Sequence, residues 1–338
     1  MFKNGIYPHC ANSFKIWCNT NAKFSKIYKN IGSPRPFDVS LRDGLQSLSK
    51  EQQINFSFND KTEVYHIIKR RYKPLNIEVG SYSSSKLLPV FKDTNIFLDY
   101  CENINKYLDS YIYQIEKSNH YVVVPNENKL DNAIENKTIR HYSFITSVSN
   151  SFQLKNVNMT LDESIDCLEK MFQKLNNFFG DRNNYKVKLY VSCINECPIE
   201  GKINNSVIID LLHRYSLFKP NTICLSDTCG TLTFADFKEI LEGLIDKNLN
   251  LEIFSLHLHV KQYRHSVIEK IIHHALDNGI TDFDVSLLDT GGCSITMNNA
   301  QLAPNLSYDL YYKSLCKYIE SKSNENIEKD EEDSKKVK

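Results

Sequence analysis

The stretch "SLHLH" (residues 255–259) sets two histidines two positions apart in a run of alternating residues. Side chains two apart on a strand project from the same face. His257 and His259 can therefore bring two imidazoles to one point, which is half of a metal site. A carboxylate on the same rim would complete a mixed nitrogen and oxygen donor set that leaves positions open for substrate. Asp43, in "FDVSLRDGLQSL" (37–48), is the candidate. Such donors suit Mg²⁺, Mn²⁺ or Zn²⁺, and spacing does not choose among them. Taken alone, an H-x-H in a strand is more often structural than metal-binding, so the surrounding elements carry the decision.

Other residues of chemical interest fall at comparable places. Arg42 precedes Asp43, putting a guanidinium beside a carboxylate at the end of an apolar run. Glu78, in "LNIEV", either pairs with Arg42 across neighbouring strands or belongs to a polar ring at the barrel mouth. Asp227, in "SDTCG", is either a substrate-orienting carboxylate or an Asx-turn residue. Cys293 follows Gly291 and Gly292, a turn that can bring a thiol to a bound ligand. Its bland alternative is a small buried side chain.

The elements that must position these residues are short β-rich runs alternating with amphipathic stretches. Eight strands are expected at 37–41, 75–79, 121–125, 141–146, 186–193, 222–227, 252–259 and 282–288. Helical spacing follows most of them, as in "KTEVYHIIKRRY" and "SVIEKIIHHALDNG". Thr160 and Glu163 form a capping-box start, and Gly279 supplies a left-handed stop. Eight strand-then-helix units predict an α/β fold of the (β/α)8 TIM-barrel type with parallel strands. No G-x-G-x-x-G follows the first strand, which removes the usual dinucleotide fingerprint. In such barrels the working residues sit at the C-terminal ends of strands. Arg42, Asp43, Glu78, Asp227, His257, His259 and the Gly-Gly-Cys turn all fall there.

Bulk properties narrow the function classes. The 338 residues carry 41 Lys+Arg against 41 Asp+Glu, so no nucleic-acid-binding field is expected. No run is long and apolar enough for a membrane span. Ten cysteines scattered through a long chain favour reduced thiols and a cytoplasmic setting over a disulfide framework. Residues 1–36 hold no acidic residue and read as a basic extension, disordered or mitochondrial-targeting. The catalytic domain is expected over 37–320, followed by a disordered charged tail over 321–338.

In order along the chain, "VSLRDGLQ", "IEVGSYSS", "KLYVSCINECPIEGKI", "LSDTCGTL", "HLH" and "GGC" resemble 3-hydroxy-3-methylglutaryl-CoA lyase of the DRE-TIM metallolyase superfamily. The similarity runs from about residue 37 to about residue 310. The resemblance implies a divalent metal, Mg²⁺ or Mn²⁺, held by Asp43, His257, His259 and an asparagine. Asn305 in "PNLSYDL" is the choice for that fourth ligand, with Asn298 and Asn299 as alternatives. It implies Arg42 as the electrostatic group, Cys293 as the proton-transfer residue, Glu78 and Asp227 as active-site carboxylates, and His257 or Asp43 as base. The implied reaction cleaves an acyl-CoA to acetyl-CoA and acetoacetate, in a protein that acts alone or as a homodimer without nucleic-acid or membrane partners. A Claisen-type synthase or aldolase of the same superfamily is the first alternative, and a catalytically degenerate barrel that only binds is the second. Three departures stand out: Val260 replaces an aspartate after H-x-H, Ser294 replaces a proline, and the segment between His259 and Cys293 is longer.

Overall fold

The computed structural model describes residues 35–108, 117–298 and 301–336. The basic extension expected at 1–36 thus lies almost wholly outside the described residues, and so does Asn299. The strands in chain order are β1 (Arg35–Asp38), β2 (Asn76–Ser81), β3 (Asn119–Val123), β4 (His141–Ser147) and β5 (Lys186–Ser192), then β6 (Glu196–Cys197), β7 (Gly201–Lys202), β8 (Thr222–Asp227), β9 (Phe254–Leu258) and β10 (Asp282–Val285). β6 and β7 pair with each other as a small antiparallel hairpin, which sequence periodicity does not predict. The other eight close into one barrel, β10 returning to pair with β1. Every barrel pairing is parallel. This is the expected (β/α)8 architecture.

Helices cover the outside and begin where capping chemistry places them. Thr160 and Glu163 exchange side-chain and backbone hydrogen bonds at the start of Leu161–Phe179, satisfying amide groups that have no partner inside the helix. At the other kind of end, Gly279 follows the helix His265–Asp277 with φ +83°, a conformation that costs glycine little. Apolar helix faces such as Val64, Tyr65 and Ile68 meet strand residues such as Ile77 and Val122 in one continuous core. Among the described residues, no helix is long and apolar enough to cross a membrane.

Several strand ends shift by a few residues from expectation, and three boundaries bear on the site or the tail. β1 stops at Asp38 and β10 at Val285, because the chain after each leaves the sheet for turns bonded through side chains. Asp38 accepts the Ser40 amide and hydroxyl, each at 3.0 Å, and Ser40 Oγ accepts the Leu287 amide at 2.8 Å. The tail expected to be disordered from residue 321 instead continues the helix Tyr308–Lys336. Its Glu and Lys residues are good helix formers, so a segment too polar to build a core can still extend an anchored helix. The anchor is aromatic: Tyr308 stacks on Tyr72 at 3.8 Å between ring centroids.

Candidate active site

Adjacent residues on a strand point to opposite faces, so a continued β1 could not aim both Arg42 and Asp43 inward. The chain solves this with a single wide turn over Ser40–Gly44, closed by the Gly44 amide on Val39 O at 3.2 Å. Such five-residue turns insert one extra residue and recur at functional sites. Here Arg42 and Asp43 both line a cavity of about 400 Å³ at the C-terminal rim, a volume suited to a small-molecule site.

His257 and His259 reach the same cavity from β9 and its end. His257 Nε2 lies 3.8 Å and His259 Nε2 3.5 Å from Asp43 Oδ2, and the two Nε2 atoms are 3.3 Å apart. One ligand atom from each of the three residues falls within 4.8 Å of the others, and all three side chains are buried. The far nitrogens are tied down. His259 Nδ1 is 3.0 Å from the Asp227 carbonyl, so it must donate there, and His257 Nδ1 is 2.9 Å from Asp284 Oδ2. Both tautomers therefore present a lone pair at Nε2 toward Asp43, which is how metal-binding histidines are usually oriented.

Asn305, the expected fourth ligand, is held next to His259 by a backbone bridge, and the neighbouring Val260 amide donates to Pro304 O at 2.7 Å. Val260, in place of the expected aspartate, packs its side chain in the core while its main chain holds Asn305 in place. The Asn305 amide nitrogen donates to Thr290 O at 3.0 Å, whereas Oδ1 is buried without a hydrogen-bond partner. A buried amide oxygen without a partner is the kind of donor a hard divalent cation takes. Asn298, the alternative, is exposed and accepts the Gln301 amide instead.

The Gly-Gly turn is built for contact rather than looseness. The Gly292 amide donates to Asp43 Oδ2 at 3.1 Å. A Cβ on Gly291 would lie 2.7 Å from the Asn305 amide nitrogen and 2.8 Å from its side chain. Gly291→Ala is accordingly expected to cost about 1–3 kcal/mol of stability and to displace Asn305, measured as a lower urea midpoint with unchanged m-value.

Arg42 is held from two sides. Its Nη1 donates to Asp43 Oδ1 at 2.6 Å, its Nε donates to Glu78 Oε2, and its guanidinium lies 5.0 Å from the Tyr190 ring centroid. The expected Arg42–Glu78 pairing across β1 and β2 is thus present, with Glu78 behind the arginine and not in the cavity wall. Burial alone would raise the Asp43 carboxyl. The adjacent Arg42 guanidinium outweighs that and holds it well below the usual carboxylate range. Burial opposes the charge on Arg42 too, but Glu78 and Asp43 more than restore it.

Cys293 lines the cavity with its Sγ 3.4 Å from Asn156 Oδ1 and 3.9 Å from Gln46 Nε2. Burial pushes its thiol above the ordinary value. Asp227 behaves otherwise. Its carboxylate accepts the Thr231 and Leu232 amides at 2.9 and 3.0 Å and does not line the cavity, although Ser226 and Thr228 do. The turn-forming alternative is the one this geometry carries. Asp227 serves the site through its carbonyl, which fixes His259.

Three buried residues around the site escape sequence reading: Asp284, Lys188 and Tyr190. Asp284 accepts from Lys188 Nζ, from Tyr190 OH at 2.9 Å and from His257 Nδ1. The signal was their i, i+2 placement: Lys188 and Tyr190 in "KVKLYVSC", Asp282 and Asp284 in "DFDVSLL". Period-two alternation shows which residues share a face but not which face is interior, and lysine is too abundant here to attract notice.

An all-parallel barrel thus gathers two strand-end histidines, an Arg-Asp turn and a Gly-Gly-Cys loop at one rim, an arrangement shared with the carbon–carbon lyases of the family that the chain matches. Residues 33–302 match the HMGL-like family model, so the chain belongs to the HMGL-like family, as a divergent member. A cytoplasmic 3-hydroxy-3-methylglutaryl-CoA lyase of Rattus norvegicus is 27% identical over 256 residues, 76% of this chain and 67% of the relative. The hydroxymethylglutaryl-CoA lyase structure from Pseudomonas aeruginosa superposes with a TM-score of 0.63 at 21% identity, covering 85% of this chain and 86% of that one. That of Acinetobacter baumannii, solved with coenzyme A and 3-methylmalate, gives 0.60 at 20% identity over 81% and 80%.

Proposed function

We propose that this chain cleaves 3-hydroxy-3-methylglutaryl-CoA, or a closely related 3-hydroxyacyl-CoA, to acetyl-CoA and acetoacetate with a divalent cation. The observation that carries the reading is the convergence of Asp43, His257 and His259 within 4.8 Å on the cavity that Cys293 also lines. The A. baumannii lyase, solved with coenzyme A, lends support for an acyl-CoA substrate.

Asp43, His257, His259 and Asn305 would hold the cation, which supplies Lewis-acid polarisation of the substrate's tertiary hydroxyl. The hydroxyl proton would leave to the Asp43 carboxylate, because His257 donates through Nδ1 to Asp284 and has only the Nε2 lone pair, which would hold the cation. As the C2–C3 bond breaks, its electron pair passes into the thioester arm and negative charge grows on that carbonyl oxygen. Arg42, locked by Glu78 and stacked over Tyr190, meets that charge without having to reorganise. Cys293, kept as a thiol by burial, gives its proton to the enolate carbon and releases acetyl-CoA. Buried apolar wall residues such as Leu88, Val123 and Phe152 exclude water from the enolate.

The test is acetoacetate release from 3-hydroxy-3-methylglutaryl-CoA with Mg²⁺ or Mn²⁺, before and after chelation. Release that stops with chelator and returns with metal is expected. Metal-independent release would overturn the proposed role of the Asp43 centre. Bound metal without release would overturn the substrate.

A further inference from the structure

The two histidines are anchored differently. His259 donates to a neutral carbonyl, whereas His257 donates to Asp284, a carboxylate wholly inside the barrel. In the parallel ladder Asp284 of β10 is directly opposite His257 of β9, and both side chains face the interior. Asp284 Oδ2 also receives Tyr190 OH at 2.9 Å and Cys224 Sγ at 3.8 Å, so its orientation is over-determined. Oδ1 is taken by Lys188 Nζ, from β5. That ammonium is itself buried, 3.5 Å from the Phe37 ring centroid and 5.0 Å from that of Tyr190.

An unpaired carboxylate at this depth would be prohibitively costly, and an unpaired ammonium equally so. Together they form a neutral pair that adds no net charge to the cavity above. The side of the pair that faces upward is an acceptor directed at one imidazole. Tyr190 extends the connection, since its hydroxyl also lies 3.4 Å from Glu78 Oε2 and its ring lies under Arg42.

We propose that Lys188 and Asp284 are positioning residues that fix His257 with Nε2 toward the cavity and thereby set the divalent-cation affinity of the Asp43–His257–His259 centre. This rests on the metal-site reading above. Carboxylate partners of ligating histidines raise ligand basicity, and their loss typically costs about 10–100-fold in metal affinity. Lys188 acts one step further out, by making a carboxylate tolerable where His257 needs it.

The experiment is titration with Mn²⁺, following the electron paramagnetic resonance signal of the free ion, on the full chain and three variants. Asp284→Asn is nearly isosteric and is expected to weaken Mn²⁺ binding by about 10–100-fold. Lys188→Met should weaken it in the same direction, and Lys188→Arg should restore binding to near the parent value. Thermal unfolding without metal separates position from stability, because a purely structural role would lower the Tm without moving the Mn²⁺ affinity. If Lys188→Met does not fold, Asp284→Asn and Lys188→Arg carry the comparison. Parent-like Mn²⁺ affinity in Asp284→Asn, within about twofold rather than the 10-fold or more expected, overturns the proposal while leaving the metal site standing. No Mn²⁺ binding by the parent overturns the metal-site reading itself and the relay with it.

Discussion

Replacing Arg42 with methionine is expected to lower kcat for acetoacetate release by about 10²–10³-fold, the usual loss when one preorganised donor to a developing oxyanion is removed. The loss should fall on kcat rather than KM, because the charge that Arg42 meets exists mainly in the transition state. Arg42→Lys should recover little. The guanidinium donates to Asp43 through Nη1 and to Glu78 through Nε while lying over Tyr190, and a lysine ammonium cannot reproduce that planar fork. Removing the guanidinium also takes the cationic partner from two buried carboxylates, Asp43 and Glu78. Some destabilisation will therefore accompany the kinetic loss. Steady-state kinetics beside thermal unfolding distinguish the two. A change confined to KM would show that Arg42 only binds substrate.

Cys293→Ala should produce the second large effect, about 10²–10⁴-fold in kcat, the range for a positioned proton donor. The pH profile carries the sharper signature. Burial raises the Cys293 thiol above its ordinary value, so its proton is present throughout the neutral range and is lost only as pH rises through that raised value. The parent's rate should thus stay level through neutral pH and fall on the alkaline side. In Cys293→Ala the residual rate should lack that alkaline fall. Cys293→Ser keeps the size but has a far weaker acid, so it should resemble alanine. A serine variant as fast as the parent would show that the thiol has no part in proton transfer.

Much of this was legible in the sequence because a barrel repeats one unit and puts its chemistry at one rim. Alternation in "SLHLH" placed His257 and His259 together, and the structure brings them within 3.3 Å. The Arg42–Glu78 pair followed from adjacency of the first two strands. What the pattern does not encode is backbone that leaves the pattern. The wide turn over Ser40–Gly44 has no compositional mark, yet it lets neighbours Arg42 and Asp43 face the same cavity. The bridge that sets Asn305 next to His259 joins residues 46 positions apart in sequence, which no local pattern shows. Asp227 shows the converse limit. One acidic residue at a strand end can serve substrate or its own turn, and sequence does not show that this carboxylate accepts the Thr231 and Leu232 amides. Lys188 and Asp284 remained hidden for a different reason. A neutral buried pair looks, in one dimension, like two ordinary surface charges.

The central claim is carbon–carbon cleavage at the Asp43 centre with protonation of the departing enolate. It is tested most directly by following 3-hydroxy-3-methylglutaryl-CoA, ¹³C-labelled at the thioester-side methylene, by NMR in D₂O with Mn²⁺ removed and Mg²⁺ supplied. The account predicts that the label moves to the methyl group of acetyl-CoA carrying one deuteron, with unlabelled acetoacetate formed in equal amount. Label that stays in intact substrate while the chain holds its divalent ion would contradict it.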